Sequence, residues 1–487
     1  MNLQQKAVKG IIWSALQKIG SQLISFIVFF LLARLLQPED FGLISLASVS
    51  LAFIEVFLDQ GFAQAIVQRE ELEPEHLDTA FWTSLCLSTL LMSIVITIAG
   101  FFAQTFEEPE LIPIVRCLSL SFLFFAFNSV PQALFQRQLA FKELAIRSLL
   151  ASLFGGGVGV SMAFLGFGAW SLVGQQLVNG LVGIIFLWWA VDWRPGLKVS
   201  SRHFKELFAY GANILGFNIL QFFNRRSDDF LIGYFLGSVA LGYYTVAYRL
   251  LVTVTQLMRT MSQVALPTFS RLQSEPEKLR TGFYNGIQFI SLIAFPVFIG
   301  LAILAPELIV ALFGEQWTPS IPVMRVLAFI GIAHSLNGIA TGLIAAMGKP
   351  NWNLKVNILN AALNVTAFIL VVRWGIVAVA VAFVIRGFLV PLPIFILMVR
   401  KLIQIELVTY IRQCSTPIIA TLGMSMTIFG IQYLLGDLIN LYFLIAIYVL
   451  LGATIYTLIV MLIDPKLFKQ LLALIKLGSS RQTEKSL

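Results

Sequence analysis

Charge is what this chain has least of. Asp, Glu, Lys and Arg together make up 12% of its 487 residues, against 58% hydrophobic. A soluble domain carries about 25% charged residues. With a mean hydropathy of +0.87, the chain has too little polar surface to cover its apolar sequence in water. That excludes a soluble globular protein. Cysteine is scarce as well. Cys86, Cys117 and Cys414 each lie in or beside an apolar run. An odd, scattered set forms neither a disulfide framework nor a metal-ligand spacing, so each reads as a small apolar packing residue. Three histidines and no nucleophile–base constellation weigh against catalysis. Long loops are absent too. The longest, around residues 62–78 and 266–282, leave no soluble domain on either side. The triple glycine Gly155-Gly156-Gly157, with Gly159, is followed by no Lys-Ser/Thr pair, so it is no phosphate loop. It reads as a place where helices pack closely or bend. No cofactor and no metal are implied.

What the chain has instead is long apolar runs. A membrane span needs about 20 mostly apolar residues. Fourteen stretches qualify, near 10–34, 41–61, 79–105, 111–135, 147–167, 169–191, 207–236, 240–265, 283–306, 322–347, 353–373, 376–399, 414–435 and 440–463. The expected fold is an all-α polytopic membrane protein with fourteen transmembrane helices. Met1 to Lys9 is short and basic, and no small-residue cleavage site follows the run Ile11 to Leu36. This segment reads as a first transmembrane helix rather than a signal peptide.

Lys and Arg in the connections set the orientation. With the N-terminus inside, the inner segments carry most of them, including Lys6, Lys9, Arg69, Arg137, Lys142, Arg147, Arg194, Lys198, Arg202 and Lys205. The outer connections carry little beyond Arg34, Arg116, Arg325 and Arg373, together with acidic Glu107, Glu108, Glu110, Glu307, Glu315 and Asp437. Both termini are therefore expected in the cytoplasm. Inner-surface cations beside anionic lipids account for the net charge of +8 without a nucleic-acid partner.

The chain also carries a faint internal repeat. A shift of 200 residues lays Ala33-Arg34-Leu35-Leu36-Gln37-Pro38-Glu39-Asp40-Phe41-Gly42 on Gly233-Tyr234-Phe235-Leu236-Gly237-Ser238-Val239-Ala240-Leu241-Gly242, and Leu36, Gly42 and Ala47 recur as Leu236, Gly242 and Ala247. Two unrelated hairpins with similar turns are the alternative. Six spans precede residue 207, six follow before residue 400, and two finish the chain. An even number per half implies parallel repeats about an axis along the membrane normal, with a site at their interface.

These stretches bear a likeness. The first-hairpin segment 33–42, Asp59-Gln60-Gly61, Phe135-Gln136-Arg137-Gln138-Leu139-Ala140-Phe141, Arg225-Arg226-Ser227-Asp228-Asp229-Phe230-Leu231-Ile232-Gly233 and Ala345-Ala346-Met347-Gly348-Lys349-Pro350 resemble the oligosaccharide flippase branch of the multidrug/oligosaccharidyl-lipid/polysaccharide superfamily. O-unit, colanic acid and teichuronic acid exporters are the most similar. The resemblance covers the whole chain. It implies two six-helix lobes in a V around a central cavity, residues 1–204 and 205–400, with 401–487 holding two further helices and a cytoplasmic tail. It also implies an undecaprenyl-pyrophosphate-linked oligosaccharide moved from the inner to the outer leaflet of a bacterial inner membrane. Alternating access coupled to an ion gradient or the membrane potential would drive the movement. Membrane lipids, a polysaccharide polymerase and glycosyltransferases are the implied partners.

Such a substrate needs a wet cavity with cations for its phosphates and polar or aromatic surfaces for its sugars. The most pointed feature is the charged cluster Asn224-Arg225-Arg226-Ser227-Asp228-Asp229, set between the apolar runs Leu215–Phe223 and Phe230–Leu236. Charge at membrane depth is expensive and normally faces a protein interior or a wet cavity. Helical spacing puts Arg225 near Asp228 and Asp229, and Arg226 near Asp229. The two arginines cannot point the same way, and Arg225 is the one expected to face the cavity. A self-neutralised structural cluster is the other reading. Arg249 should lie at a depth similar to Arg225, so that the two can flank one anion. Lys18 lies about 12 Å inward along the first span, as a cavity cation or one that snorkels to the headgroups.

Glu55 is a candidate coupling carboxylate, Asp59 a candidate at the gate one turn away, and Asp229 completes the coupling and gating set. Arg259 and Arg386 are further intramembrane cations. Tyr248 is a candidate sugar contact, with Gln17, Gln22, Asn213, Asn218 and Gln256. Tyr243 and Tyr244 fit an outer-interface aromatic belt. His334 and Asn337 read as interhelical hydrogen bonders.

Rival functions are distinguished by charge and loop length. A multidrug extruder expels cations and needs a net acidic cavity, whereas here intramembrane cations at least match acids. A membrane polymerase or ligase needs catalytic groups on a sizeable outer loop. An uncoupled scramblase remains compatible with the sequence.

Overall fold

A computed structural model of the chain describes residues 3–58, 61–435 and 440–468. Asp59 and Asp437 lie outside the described residues, as does the side chain of Asn213. Among the described residues all regular structure is helical. Thirteen helices or helix runs are long and apolar enough to cross a membrane. The seventh, Asn218–Arg271, is 54 residues long and contains most of the seventh and eighth expected spans. At 1.5 Å per residue it would extend about 80 Å as one rod, against a hydrocarbon core of about 30 Å. It is not one rod, because Gly237, with φ 84° and ψ 178°, interrupts it. That backbone conformation is essentially open to glycine alone.

The helices divide into two compact units. The first comprises Met1–Thr245, Leu312–Gln316 and Phe368–Ile376. In it run α1 (Leu3–Leu35), α2 (Pro38–Leu58), α3 (Phe62–Gln68), α4 (Pro74–Phe106), α5 (Leu111–Leu118), α6 (Leu120–Arg137), α7 (Phe141–Phe164), α8 (Trp170–Ala190) and the first part of α9 (Ser201–Ser262). A cluster of Phe62, Ile66, Phe81, Val130, Leu134, Phe135 and Leu187 forms one core. Gly155 and Gly159 let α7 close on α8. An added Cβ would stand 2.8 Å from Asn179 Cβ at the first and 2.7 Å from Gln175 Cβ at the second. This is the close packing expected of the glycine run.

The second unit comprises Val246–Ala311, Trp317–Ala367 and Val377–Leu487. It holds the end of α9, α10 (Ala265–Arg271), α11 (Pro276–Ile303), most of α12 (Ala305–Phe313), α13 (Ser320–Ala346), most of α14 (Pro350–Val371), all but the first residue of α15 (Ile376–Leu389), α16 (Pro391–Ile403), α17 (Leu407–Leu435) and α18 (Leu441–Ile463). Its buried residues include Trp317, Phe283 and Phe298, and a satellite cluster joins Met424, Ile428, Leu444 and Tyr448.

The motifs read from the sequence have local structural reasons. In the first hairpin, Pro38 opens α2 where a missing N–H costs nothing. The Gln37 N–H donates to Asp40 Oδ2 at 2.9 Å, and Arg34 Nε donates to the Leu312 carbonyl oxygen at 3.1 Å. Arg137 closes the end of α3 by donating to the carbonyl oxygens of Ile66 and Glu70, both at 2.9 Å, and to that of Arg69. Where α4 and α9 begin, Glu206 is gripped by Arg202 (2.9 Å) and Arg69 (2.5 Å). Arg202, then His76 and Arg69, hold its carboxyl down at about 2.

The repeat is visible in the packing of the first unit. An added Cβ on Gly42 would stand 1.9 Å from the Ser238 carbonyl oxygen, and one on Gly242 would stand 2.0 Å from that of Pro38. The two contacts exchange under the same shift of 200 residues. At the centre, Ser45 Oγ and Thr245 Oγ1 share a hydrogen bond of 3.0 Å. The two hairpins therefore pack about a local two-fold. Only glycine permits backbones this close, as in small-residue helix crossings generally. Gly237 occupies in the second copy the place of Gln37 in the first.

Candidate functional site

The charged cluster lies on α9 in the first unit. Its members separate by exposure: Ser227 and Asp228 are buried, Asp229 is half-buried and Arg225 is exposed. The pairing differs from the helical expectation for one arginine. Arg226 Nη1 bonds Asp229 Oδ2 at 3.1 Å, whereas Arg225 forms no ion pair among the described residues. Asp228 takes its hydrogen bond from Tyr244, whose hydroxyl donates to Oδ2 at 2.8 Å. The cluster is thus only half neutralised within itself. One arginine and one aspartate form a pair, one aspartate is tied to a buried phenol, and one guanidinium is left outward.

Tyr244 corrects the belt assignment. Its side chain is fully buried, and its hydroxyl serves the carboxylate on the far side of the Gly237 break. A phenol at this depth is satisfied by Asp228 rather than by headgroups. Tyr243 is half-buried.

Glu55 of α2 faces a cavity of about 430 Å³ in the same unit, lined also by Leu58, Ser121, Phe124, Phe125, Asn128, Gln176, Asn179 and Gly180. Phe53 and Phe222 meet edge to face at 5.3 Å and hold α2 against α9, which brings the Arg226 charge within reach of Glu55. Ser121 Oγ and Asn128 Oδ1 are buried with no hydrogen-bond partner among the described residues. Buried polar atoms of this kind normally meet water or a ligand. The cavity can therefore hold water or a small polar group next to one carboxylate. Its amides, Asn128, Gln176 and Asn179, each stand inside an apolar run, which makes them a signal visible in the sequence alone.

Other expected residues fall elsewhere. Lys18 is half-buried on α1. Gln17 Nε2 is occupied by Ser148 Oγ at 2.7 Å and holds α1 to α7. Tyr248, half-buried, and Arg249, exposed, belong to the second unit. There Arg386 Nη1 donates to Asn360 Oδ1 at 2.9 Å and its guanidinium lies 5.4 Å from the Phe383 ring. His334 meets the edge of the same ring at 6.1 Å. Asn337 Oδ1 has no partner among the described residues.

Thirteen apolar spans among the described residues, with ionic groups and unpartnered polar atoms held among them, define a multi-pass membrane protein that keeps polar groups inside a bilayer. Residues 31–322 match the family described as "Polysaccharide biosynthesis protein", and the chain belongs to that family. It is similar to the teichuronic acid biosynthesis protein TuaB of Bacillus subtilis, 26% identical over 88% of this chain and 90% of TuaB. It is also similar to the lipopolysaccharide biosynthesis protein WzxC of Escherichia coli, 26% identical over 76% of each chain. Among solved structures, the lipid II flippase MurJ in its inward closed conformation superposes with a TM-score of 0.77, at 13% identity, over 94% of this chain and 99% of MurJ. At that identity the likeness is one of fold.

Proposed function

We propose that this protein is a transporter that moves undecaprenyl-pyrophosphate-linked oligosaccharide from the inner to the outer leaflet of a bacterial cell membrane, for surface polysaccharide or lipopolysaccharide assembly. Membership of the polysaccharide family carries this reading, and relatives matched over most of their length support it. On this reading the chain crosses the membrane fourteen times, with the break at Gly237 turning the longest helix back. Both termini are cytoplasmic, and a polymerase and glycosyltransferases work on either side of the transport step.

The chemistry of the residues agrees with an anionic cargo. Arg225 is outward and without an ion-pair partner among the described residues, which suits a phosphate contact. Lys18 and Arg249 are proposed as further cations, with Arg226 and Asp228 shaping the surface around Arg225 and Tyr248 as a sugar contact. Glu55, in a cavity where Ser121 Oγ and Asn128 Oδ1 have no hydrogen-bond partner among the described residues, is proposed as the coupling carboxylate. A drug-extruding relative would instead concentrate acids.

The test is complementation of a strain lacking its own exporter. Arg225→Ala and Arg249→Ala should each abolish surface polysaccharide while protein levels stay normal. Full export by both variants would overturn the phosphate assignment. Protection against cationic drugs without polysaccharide export would instead support the extruder.

A further inference from the structure

Two of the chain's three histidines meet at one point in the first unit. His76 lies in the first turn of α4 and His203 in the first turn of α9, with ring centroids 4.2 Å apart. Glu73, just before α4, brings Oε2 to 3.4 Å from His203 Nε2. Ligand-capable atoms of Glu73, His76 and His203 all lie within 4.8 Å of one another. His203 supplies the second, independent observation. Its side chain is 8% exposed, and neither ring nitrogen has a hydrogen-bond partner among the described residues. A buried imidazole facing another imidazole and a carboxylate, with neither nitrogen hydrogen-bonded among the described residues, has room in its coordination for a ligand.

We propose that Glu73, His76 and His203 bind a divalent transition metal of the zinc class. Two imidazoles and one carboxylate are a donor set that zinc accepts, with water in the fourth position. Calcium and magnesium prefer oxygen-only ligands. The surrounding charges are already allocated. Arg69 and Arg202 are held by Glu206, and Lys198 by Glu75 at 3.3 Å. Glu73 is left as the carboxylate turned toward the histidines. Glu206 stands 3.3 Å from His76 Nε2, so it acts from behind the metal ligands as an orienting carboxylate.

The proton count is simple. The Glu73 N–H donates to His76 Nδ1 at 3.2 Å, which leaves the ring proton on Nε2. Coordination through Nδ1 exchanges this long amide bond for the metal–nitrogen bond and keeps the proton on Nε2, from which it is donated to Glu206 Oε2. The metal would staple the segment before α4 to the start of α9. Glu73 and His76 are neighbours in the sequence but His203 is far from both, so spacing alone carries no sign of the set.

The experiment uses the purified full chain in detergent, with an affinity tag free of histidine, titrated with Co²⁺. The expected result is visible d–d absorption that saturates at one equivalent, is displaced by Zn²⁺, and is lost in His76→Asn and in His203→Asn but kept in His334→Asn. Wild-type protein should also gain resistance to trypsin at Arg69, Lys198 and Arg202 when Zn²⁺ is added, a readout that needs no variant to fold. No saturable absorption by the wild type, or undiminished binding in both histidine variants, would overturn the proposal, as would unchanged proteolysis at those sites.

Discussion

Ser45 and Thr245, 200 positions apart in the chain, share a hydrogen bond of 3.0 Å between their hydroxyls. They are equivalent positions of the two repeat copies, and they meet where the copies pack on each other. On either side of them the exchange is reciprocal: Gly42 closes on Ser238 and Gly242 on Pro38. A weak sequence match is thereby tied to a physical requirement. The two glycines are retained in both copies because each lies against the other copy's backbone, where no side chain fits.

Gly42→Val and Gly242→Val should each destabilise the protein by about 1–3 kcal/mol or more, since the oxygens in the way are backbone and cannot swing aside. Ser45→Ala should cost about 0.6–1 kcal/mol, the worth of one interhelical hydrogen bond in a membrane. Thermal unfolding of the purified protein in detergent measures both. A Gly42→Val variant that melts with the wild type would refute the close packing.

Tyr244 and Asp228 make a second pair whose members depend on each other. Tyr244→Phe leaves a buried carboxylate without its donor and should cost about 1–3 kcal/mol. In the Asp228→Asn background the same change should cost less, because a neutral amide tolerates the loss better than a carboxylate. A double-mutant cycle on melting temperature reads this coupling. Additive effects would show that the 2.8 Å contact carries no energy.

Much of this was legible in the sequence, for identifiable reasons. Spans follow from local hydropathy: fourteen stretches qualify in the sequence, and thirteen helices or runs do so among the described residues, one of them holding most of the seventh and eighth expected spans. The cluster on α9 stood out because charge inside an apolar run is costly wherever the chain later places it. Partner choice was less legible. Helical spacing allowed Arg225 and Arg226 alike to reach Asp229, and only the packed structure selects Arg226. Tyr244 looked like a headgroup residue because its partner lies across the Gly237 break, beyond any helical period. His76 and His203 come from separate helix starts, and nothing short of the tertiary fold brings them together.

The selection of Arg226 separates a structural arginine from a transporting one. Arg226→Ala strands Asp229, so the protein should accumulate poorly and melt early. Arg226→Ala combined with Asp229→Asn should recover much of that loss, because removing both charges is cheaper than leaving one buried. Arg225→Ala should leave melting unchanged. Immunoblotting and thermal unfolding of the four proteins decide the matter. Equal loss of stability for Arg225→Ala and Arg226→Ala would mean that both arginines hold the fold.

Glu55 offers the corresponding test of energy coupling. Glu55→Gln keeps the shape of the cavity and its hydrogen-bonding character, with Asn128, Gln176 and Asn179 around it, but removes the only charge among the described residues that line it. If this carboxylate takes up the driving ion, the variant should fold, reach normal levels and still bind lipid-linked oligosaccharide, while export falls at least about tenfold, the factor that 1.4 kcal/mol of lost coupling corresponds to. Asn128→Ala and Asn179→Ala, which remove amides and keep the charge, should have smaller effects on export and leave its dependence on the ion gradient intact. Transport into proteoliposomes with and without an imposed proton or sodium gradient separates the cases. Gradient-stimulated transport by Glu55→Gln at the wild-type rate would remove Glu55 from the coupling step and leave the cavity as a hydrated packing defect.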